Sequence, residues 1–157
     1  MEVKMGNRGF TLIEVMVVII IMGLLFGFAI PSFTDFNNQL RLDSAYEGVM
    51  RSLRLTRQVA VSNRIDCHAV FPATNDAILV YEHRGMISQL NNELSVDLRE
   101  YDRNGAILFT NPTPDSIIFH PDYTAEVFPL AGPTQITLSG YTRNRTLTII
   151  PVTGLIR

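Results

Sequence analysis

Gly9-Phe10-Thr11-Leu12-Ile13-Glu14 opens the stretch that decides the fold. It runs into Val15–Ile30, VMVVIIIMGLLFGFAI, sixteen consecutive residues without a charged or polar side chain. With Phe10, Leu12, Ile13 and Phe33 added, the stretch is long enough to cross a hydrocarbon core about 30 Å thick. Only MEVKMGNRG precedes it, with Lys4 and Arg8 set against Glu2. Positive charge ahead of a span holds the N-terminus in the cytoplasm and sends the rest of the chain outward. The expectation is a single-pass anchor with one exported domain.

A cleaved secretory signal is the competing reading, with Gly27-Phe28-Ala29 as a passable small-x-small cleavage site. Two features count against it. The apolar run exceeds the usual length of about 7–15 residues for a signal core. Glu14 also lies within the apolar segment, where a carboxylate is costly unless it finds a partner.

The motif Gly9-Phe10-Thr11-Leu12-Ile13-Glu14, with its short basic leader and apolar helix, resembles the class III signal of type IV pilins and pseudopilins. The resemblance implies cleavage by a prepilin peptidase after Gly9 and N-methylation of Phe10. It implies no cofactor, and partners that include other pilins, the inner-membrane assembly platform and the lipid bilayer. The chemistry of the motif is consistent with this. Gly9 offers a backbone unobstructed by a side chain. Cleavage would create an ammonium at Phe10, and a carboxylate at Glu14 in lipid needs a cation such as that of a neighbouring subunit.

Pro31 follows the apolar run and is expected to kink or locally melt the helix. From Phe33 to Arg64 the pattern is amphipathic: Leu42, Ala45, Tyr46, Val49, Leu53, Thr56 and Ala60 recur at steps of three or four on one face. Arg51 and Arg54 fall on the opposite side, while Arg57 lies close to the stripe. This helix holds five arginines and three acids, a net of +2; residues 65–157 carry a net of -4. Arg41, Arg51, Arg54, Arg57 and Arg64 read as a solvated face, because no aromatic residues interleave with them as a nucleic-acid groove would require.

Ser52-Leu53-Arg54-Leu55-Thr56-Arg57-Gln58-Val59-Ala60-Val61-Ser62-Asn63-Arg64, followed at once by a strand containing Cys67, is similar to the GspH/FimT family, with Thr56 where alanine is usual. Gly154 and Arg157 resemble the Gly-Arg-x-Arg tail of that family, with Leu155 at the first arginine position. In FimT-type members linked to DNA uptake such a tail contacts DNA. Arg143, Arg145 and Arg157 are therefore the candidate DNA-binding residues, enough for about three phosphate contacts.

After Arg64 the period becomes alternating. Cys67–Phe71, Ala77–His83, Ala106–Thr110, Ser116–His120, Gln135–Ser139 and Arg145–Ile150 read as short strands, punctuated at Pro72–Asp76, Asn104-Gly105, Asn111–Pro114 and Ala131–Pro133. Residues 85–103 fit either a short helix or a polar loop. The expected fold is α+β and pilin-like: a leader over 1–9, a transmembrane segment over 10–33, an amphipathic helix over 34–64 and an antiparallel β-domain over 65–157.

No catalytic or metal-ligating constellation is evident. His68, His83 and His120 fall on different strands without ligand spacing, and a lone Cys67 in an apolar strand reads as a buried small hydrophobe. Asp97, Glu100 and Asp102 lack the glycine and spacing of a calcium loop. The expected function is non-enzymatic: a minor pilin or pseudopilin of a type II secretion pseudopilus or type IV pilus, in the inner membrane with its C-terminal domain periplasmic. Pro31 resembles pilus-type members. A DNA-binding minor pilin is the alternative.

Overall fold

The computed structural model describes residues 9–110, 115–128, 135–150 and 153–157, without the side chains of 28–32. The leader residues 1–8 and the expected turns at 111–114 and 131–133 lie outside the described residues. The chain divides into two compact units, Met1–Asn37 and Asn38–Arg157.

One helix, α1, is assigned over Leu12–Asn63. Its helical assignment continues through position 31, so the local melting expected at Pro31 does not occur. A proline removes one donor from the ladder, and the flanking turns carry the helix across. In the first unit the large apolar side chains from Phe10 to Phe26 are exposed all round. Among the described residues no helix is long and apolar enough to cross a membrane. The expected transmembrane segment over 10–33 includes residues 28–32, whose side chains lie outside the described ones.

The second unit is built on the remainder of α1 and, among the described residues, ten strands, all paired antiparallel. The larger sheet contains β1 (Asp66–Val70), β2 (Ala77–Arg84), β3 (Ile87–Leu90), β6 (Ser116–Phe119) and β7 (Ala125–Phe128) in the order β3-β2-β1-β6-β7. The short β4 (Val96–Asp97) also pairs with β2. A smaller sheet runs β10-β9-β8-β5, with β5 at Leu108–Thr110, β8 at Gln135–Gly140, β9 at Arg143–Ile150 and β10 at Leu155–Ile156. One sheet was expected and two are found, because β5 pairs with β8 and not with its sequence neighbours.

Each sheet alternates. In β1 and β2 the residues Cys67, Ala69, Ile78 and Val80 are buried while their neighbours are half-buried. Inward side chains from both sheets join the α1 stripe in one core: Leu42, Ala45, Val49, Leu53 and Ala60 meet Ile117, Phe119, Ile136, Leu138, Leu147 and Ile149. The expected stripe is thus the packed face, with Tyr46 partly buried at its margin. Gly140 permits the close approach of helix and smaller sheet, since a Cβ there would lie 3.2 Å from Leu42 Cδ1 and 3.0 Å from Ile107 Cγ1.

Residues 85–103 prove to be neither a helix nor a featureless loop. They hold the hairpin turn at Gly85 and Met86, strands β3 and β4, and a single 3-10 turn over Leu98–Glu100. Asp97 caps that turn by accepting from Arg99 N at 2.8 Å. Asp102 is fully buried, accepting from Ala106 N at 2.8 Å and paired with Arg41 at 3.5 Å. Leu94 and Leu98 anchor this segment in the core, and strand pairing and polar turns order the rest, which helical periodicity does not report.

Candidate functional site

The opening motif lies at the start of α1. Gly9 and Phe10 are exposed and precede the first helical residue, Leu12. Thr11 caps the helix: its carbonyl accepts from Glu14 N at 3.1 Å and from Val15 N at 3.2 Å, and its Oγ1 takes a weaker 3.3 Å bond from Glu14 N. Thr11-Leu12-Ile13-Glu14 has the S/T-x-x-E spacing of a capping box, and the Thr11 half of it is formed. Glu14 in the first turn also lies where the helix dipole favours an anion. Beyond Glu14 the helix surface is apolar with no polar face, carrying exposed side chains from Val15 to Phe26.

Residues 4–30 match the prokaryotic N-terminal methylation motif. The chain is also 35% identical over 74 residues to fimbrial protein EcpC of Eikenella corrodens, covering 47% of this chain and 45% of that protein. The N-terminal region is type IV pilin-like. The chain spans less than half the length of the curated relative it matches. No solved structure matches. The long helix packed on antiparallel strands agrees with a pilin-type α+β fold.

The candidate DNA-binding arginines are spread along β9 and the end of β10. Arg145 is committed to Asp43 on α1, with Nη2 at 2.6 Å and Nε at 2.7 Å from Oδ1. Arg143 opens β9, whereas the Arg157 backbone pairs with Thr148 towards its other end. Five residues of strand put them about 17 Å apart along β9.

The three histidines, expected to be scattered, are brought together on the outer face of the larger sheet. The register sets Asp66 opposite His83 and His68 opposite Tyr81 on β2, with Ile118 across from His68 on β6. The rings of His68 and His83 lie 3.8 Å apart between centroids, tilted by 36°. His120 Nδ1 is 2.8 Å from Asp66 Oδ1 and its Nε2 is 3.6 Å from Glu126 Oε1. Burial holds the His68 pKa below its usual value, and the His83 and His120 charges push the same way against Asp66. Even so, among the described residues no group of three His, Cys, Asp or Glu side chains is arranged to hold a metal. Cys67 is buried on the inner face, and burial first, then the Glu82 and Asp66 charges, raise its pKa to about 11. It is an inert thiol.

Arg57 lies where its position near the stripe implied. Nη2 donates to the Thr153 carbonyl at 2.7 Å, and the guanidinium carbon is 5.5 Å from the centre of the Tyr123 ring. Thr56, in place of the alanine usual in the similar family, is buried and donates from Oγ1 to Ser52 O at 2.8 Å. The hydroxyl is therefore accommodated within the helix.

Proposed function

We infer that the chain is a non-enzymatic minor pilin or pseudopilin, a subunit of a type IV pilus or type II secretion pseudopilus assembled through its N-terminal helix. The observation that carries this reading is the exposed apolar helix surface from Val15 to Phe26, opened by the Gly-Phe-Thr-Leu-Ile-Glu motif. An all-round apolar helix needs either lipid or other helices around it. In this reading α1 is anchored in the inner membrane by its apolar run, the second unit lies in the periplasm, and the helix exchanges lipid for neighbouring subunits during assembly. Pro31, within Ala29-Ile30-Pro31-Ser32-Phe33, favours the pilus.

Gly9 is the cleavage position for a prepilin peptidase and Phe10 the residue then N-methylated. Glu14, one helical turn from Phe10, receives the new ammonium of an adjacent subunit. The test is mass spectrometry of the protein taken from native membranes. An N-terminus at methylated Phe10 is the expected result; an N-terminus beyond Ala29 or an unprocessed Met1 overturns the reading. Glu14→Ala should insert into membranes normally yet be lost from filaments, and unaltered incorporation would remove the role given to that carboxylate.

A further inference from the structure

The surroundings of Arg57 leave more cationic capacity than the fold uses. Arg54, Arg57, Gln58, Val61 and Ser62 from α1 and Tyr123 from the turn between β6 and β7 line a cavity of about 330 Å³. That volume lies at the lower end of small-molecule sites. Arg54 and Arg57, three residues apart, are neighbours on the helix surface, and their like charges repel. Among the described residues neither forms an ion pair.

The guanidinium of Arg57 is held from behind. Nη2 is tied to Thr153 O, and Nε is buried without a hydrogen-bond partner among the described residues. Gly154 makes the space, since a Cβ there would lie 3.2 Å from Nε and 2.9 Å from the Tyr123 carbonyl. Gly154 also sits at φ +57, a conformation glycine adopts at little cost. Tyr123 occupies the left-handed region too, at φ +72, although it is not glycine. Backbone strain of this kind is often kept where a side chain must be presented in one direction. The presented residue is 57% exposed. The neighbouring Asp122 accepts from the Thr124 amide at 3.0 Å and hydroxyl at 2.6 Å, and among the described residues it forms no ion pair with Arg54 or Arg57.

We propose that this cavity binds a small anion, a phosphate monoester or carboxylate attached to a planar apolar body. The anionic group lies between Arg54 and the Arg57 guanidinium, and the planar body rests on the Tyr123 ring. Arginine suits this task because its fixed fork meets two oxygens of one anion at once. The small volume favours a low-molecular-weight ligand over a nucleic-acid duplex. The site is independent of the assembly reading, since none of its residues belongs to the N-terminal motif.

The experiment is calorimetric titration of the full-length chain in detergent micelles, with phenyl phosphate and inorganic phosphate as probes. Phenyl phosphate is expected to saturate one site and to bind more tightly than inorganic phosphate. Arg54→Ala and Arg57→Lys should each weaken it about tenfold, the loss of one charge-assisted bond. Tyr123→Ala should abolish the preference for phenyl phosphate while inorganic phosphate still binds. Arg54 is exposed, so Arg54→Ala tests the site without disturbing the core; an unchanged melting curve checks this. The proposal is overturned if neither anion saturates a site, if Arg54→Ala binds as wild type does, or if the two probes bind equally.

Discussion

Two regions of the same helix use apolar residues in opposite ways. Between Phe10 and Phe26 every large apolar side chain is at least 47% exposed. Between Leu42 and Ala60 the stripe residues, Tyr46 aside, are at most 2% exposed, while Arg51 and Arg54 face solvent. The difference is one of pattern. The first region has no polar side to define a face, so no single packing surface could bury it. The second has a polar side, and its stripe can therefore meet two sheets in one register. Apolar content says how much surface wants to leave water; periodicity says which neighbour receives it.

The comparison breaks most readily at Leu53. Leu53→Ala removes a fully buried side chain from the centre of the core and should destabilise the second unit by about 3 kcal/mol, through lost transfer energy and the cavity left behind. Ile20→Ala removes as much apolar surface but from an exposed position, and should leave the unfolding of that unit unchanged. Urea titration in detergent, followed by tyrosine fluorescence, measures both. Equal losses from the two substitutions would mean that the regions are not energetically distinct.

The stripe and most strands were legible because each is a local pattern. Leu42 to Ala60 repeats at helical spacing, and β1, β2, β6, β8 and β9 alternate over four residues or more. The strands that escaped lack that signal. β3 is exposed along its whole length, and β10 has two residues. β7, Ala-Glu-Val-Phe, alternates but is only four residues long. The opening motif was legible as a string, and the bond from Glu14 N to Thr11 Oγ1 is one that its S/T-x-x-E spacing signals. The histidine group and the Arg57–Tyr123 contact were hidden for a different reason. They depend on which strand lies beside which: Asp66 against His83, and Tyr123 against a helix residue 66 positions earlier. Single-sequence spacing carries no such register.

A second effect should come from the polar anchor of the helix. Asp102→Ala strips acceptors from Ala106 N and Asn104 N and leaves Arg41 without its partner. Emptying a buried, hydrogen-bonded site of this kind should cost about 2 kcal/mol in the same urea titration. A loss comparable to that of Leu53→Ala would show that polar anchoring rivals the apolar stripe in holding the helix.

Acid should distinguish the regions further, since the shifted groups belong to the second unit. His68 is held below its usual 6.5, so as pH falls the unfolded chain takes up the proton first. Its contribution to stability is full above about pH 6.5 and is lost as pH drops towards the folded value. Asp76, held low by the Thr74 hydroxyl and then by Arg99, and Glu82, held low by Asn91 and then by Arg84, add a second loss below about pH 4. Melting temperature against pH should therefore fall in two stages. His68→Gln should remove only the upper one; a curve unchanged by that substitution would show that His68 does not titrate differently on folding.

The smallest effect is expected at Arg145. Its pairing with Asp43 joins α1 to β9, yet both side chains are about half exposed, 47% and 46%. An exposed ion pair gains little, because water screens the attraction and two side chains must be held still. Arg145→Ala should cost no more than about 0.5 kcal/mol, and adding salt should erase even that difference. The same substitution separates two uses of the arginine. If Arg145 serves only to pair with Asp43, then Asp43→Ala should produce the same small change and the double variant nothing further. If the purified chain instead binds duplex DNA, and Arg145→Ala weakens that binding while Asp43→Ala strengthens it, the carboxylate is competing with phosphate for the guanidinium. The doubly bonded geometry, with both Nη2 and Nε on one carboxylate oxygen, favours the first outcome.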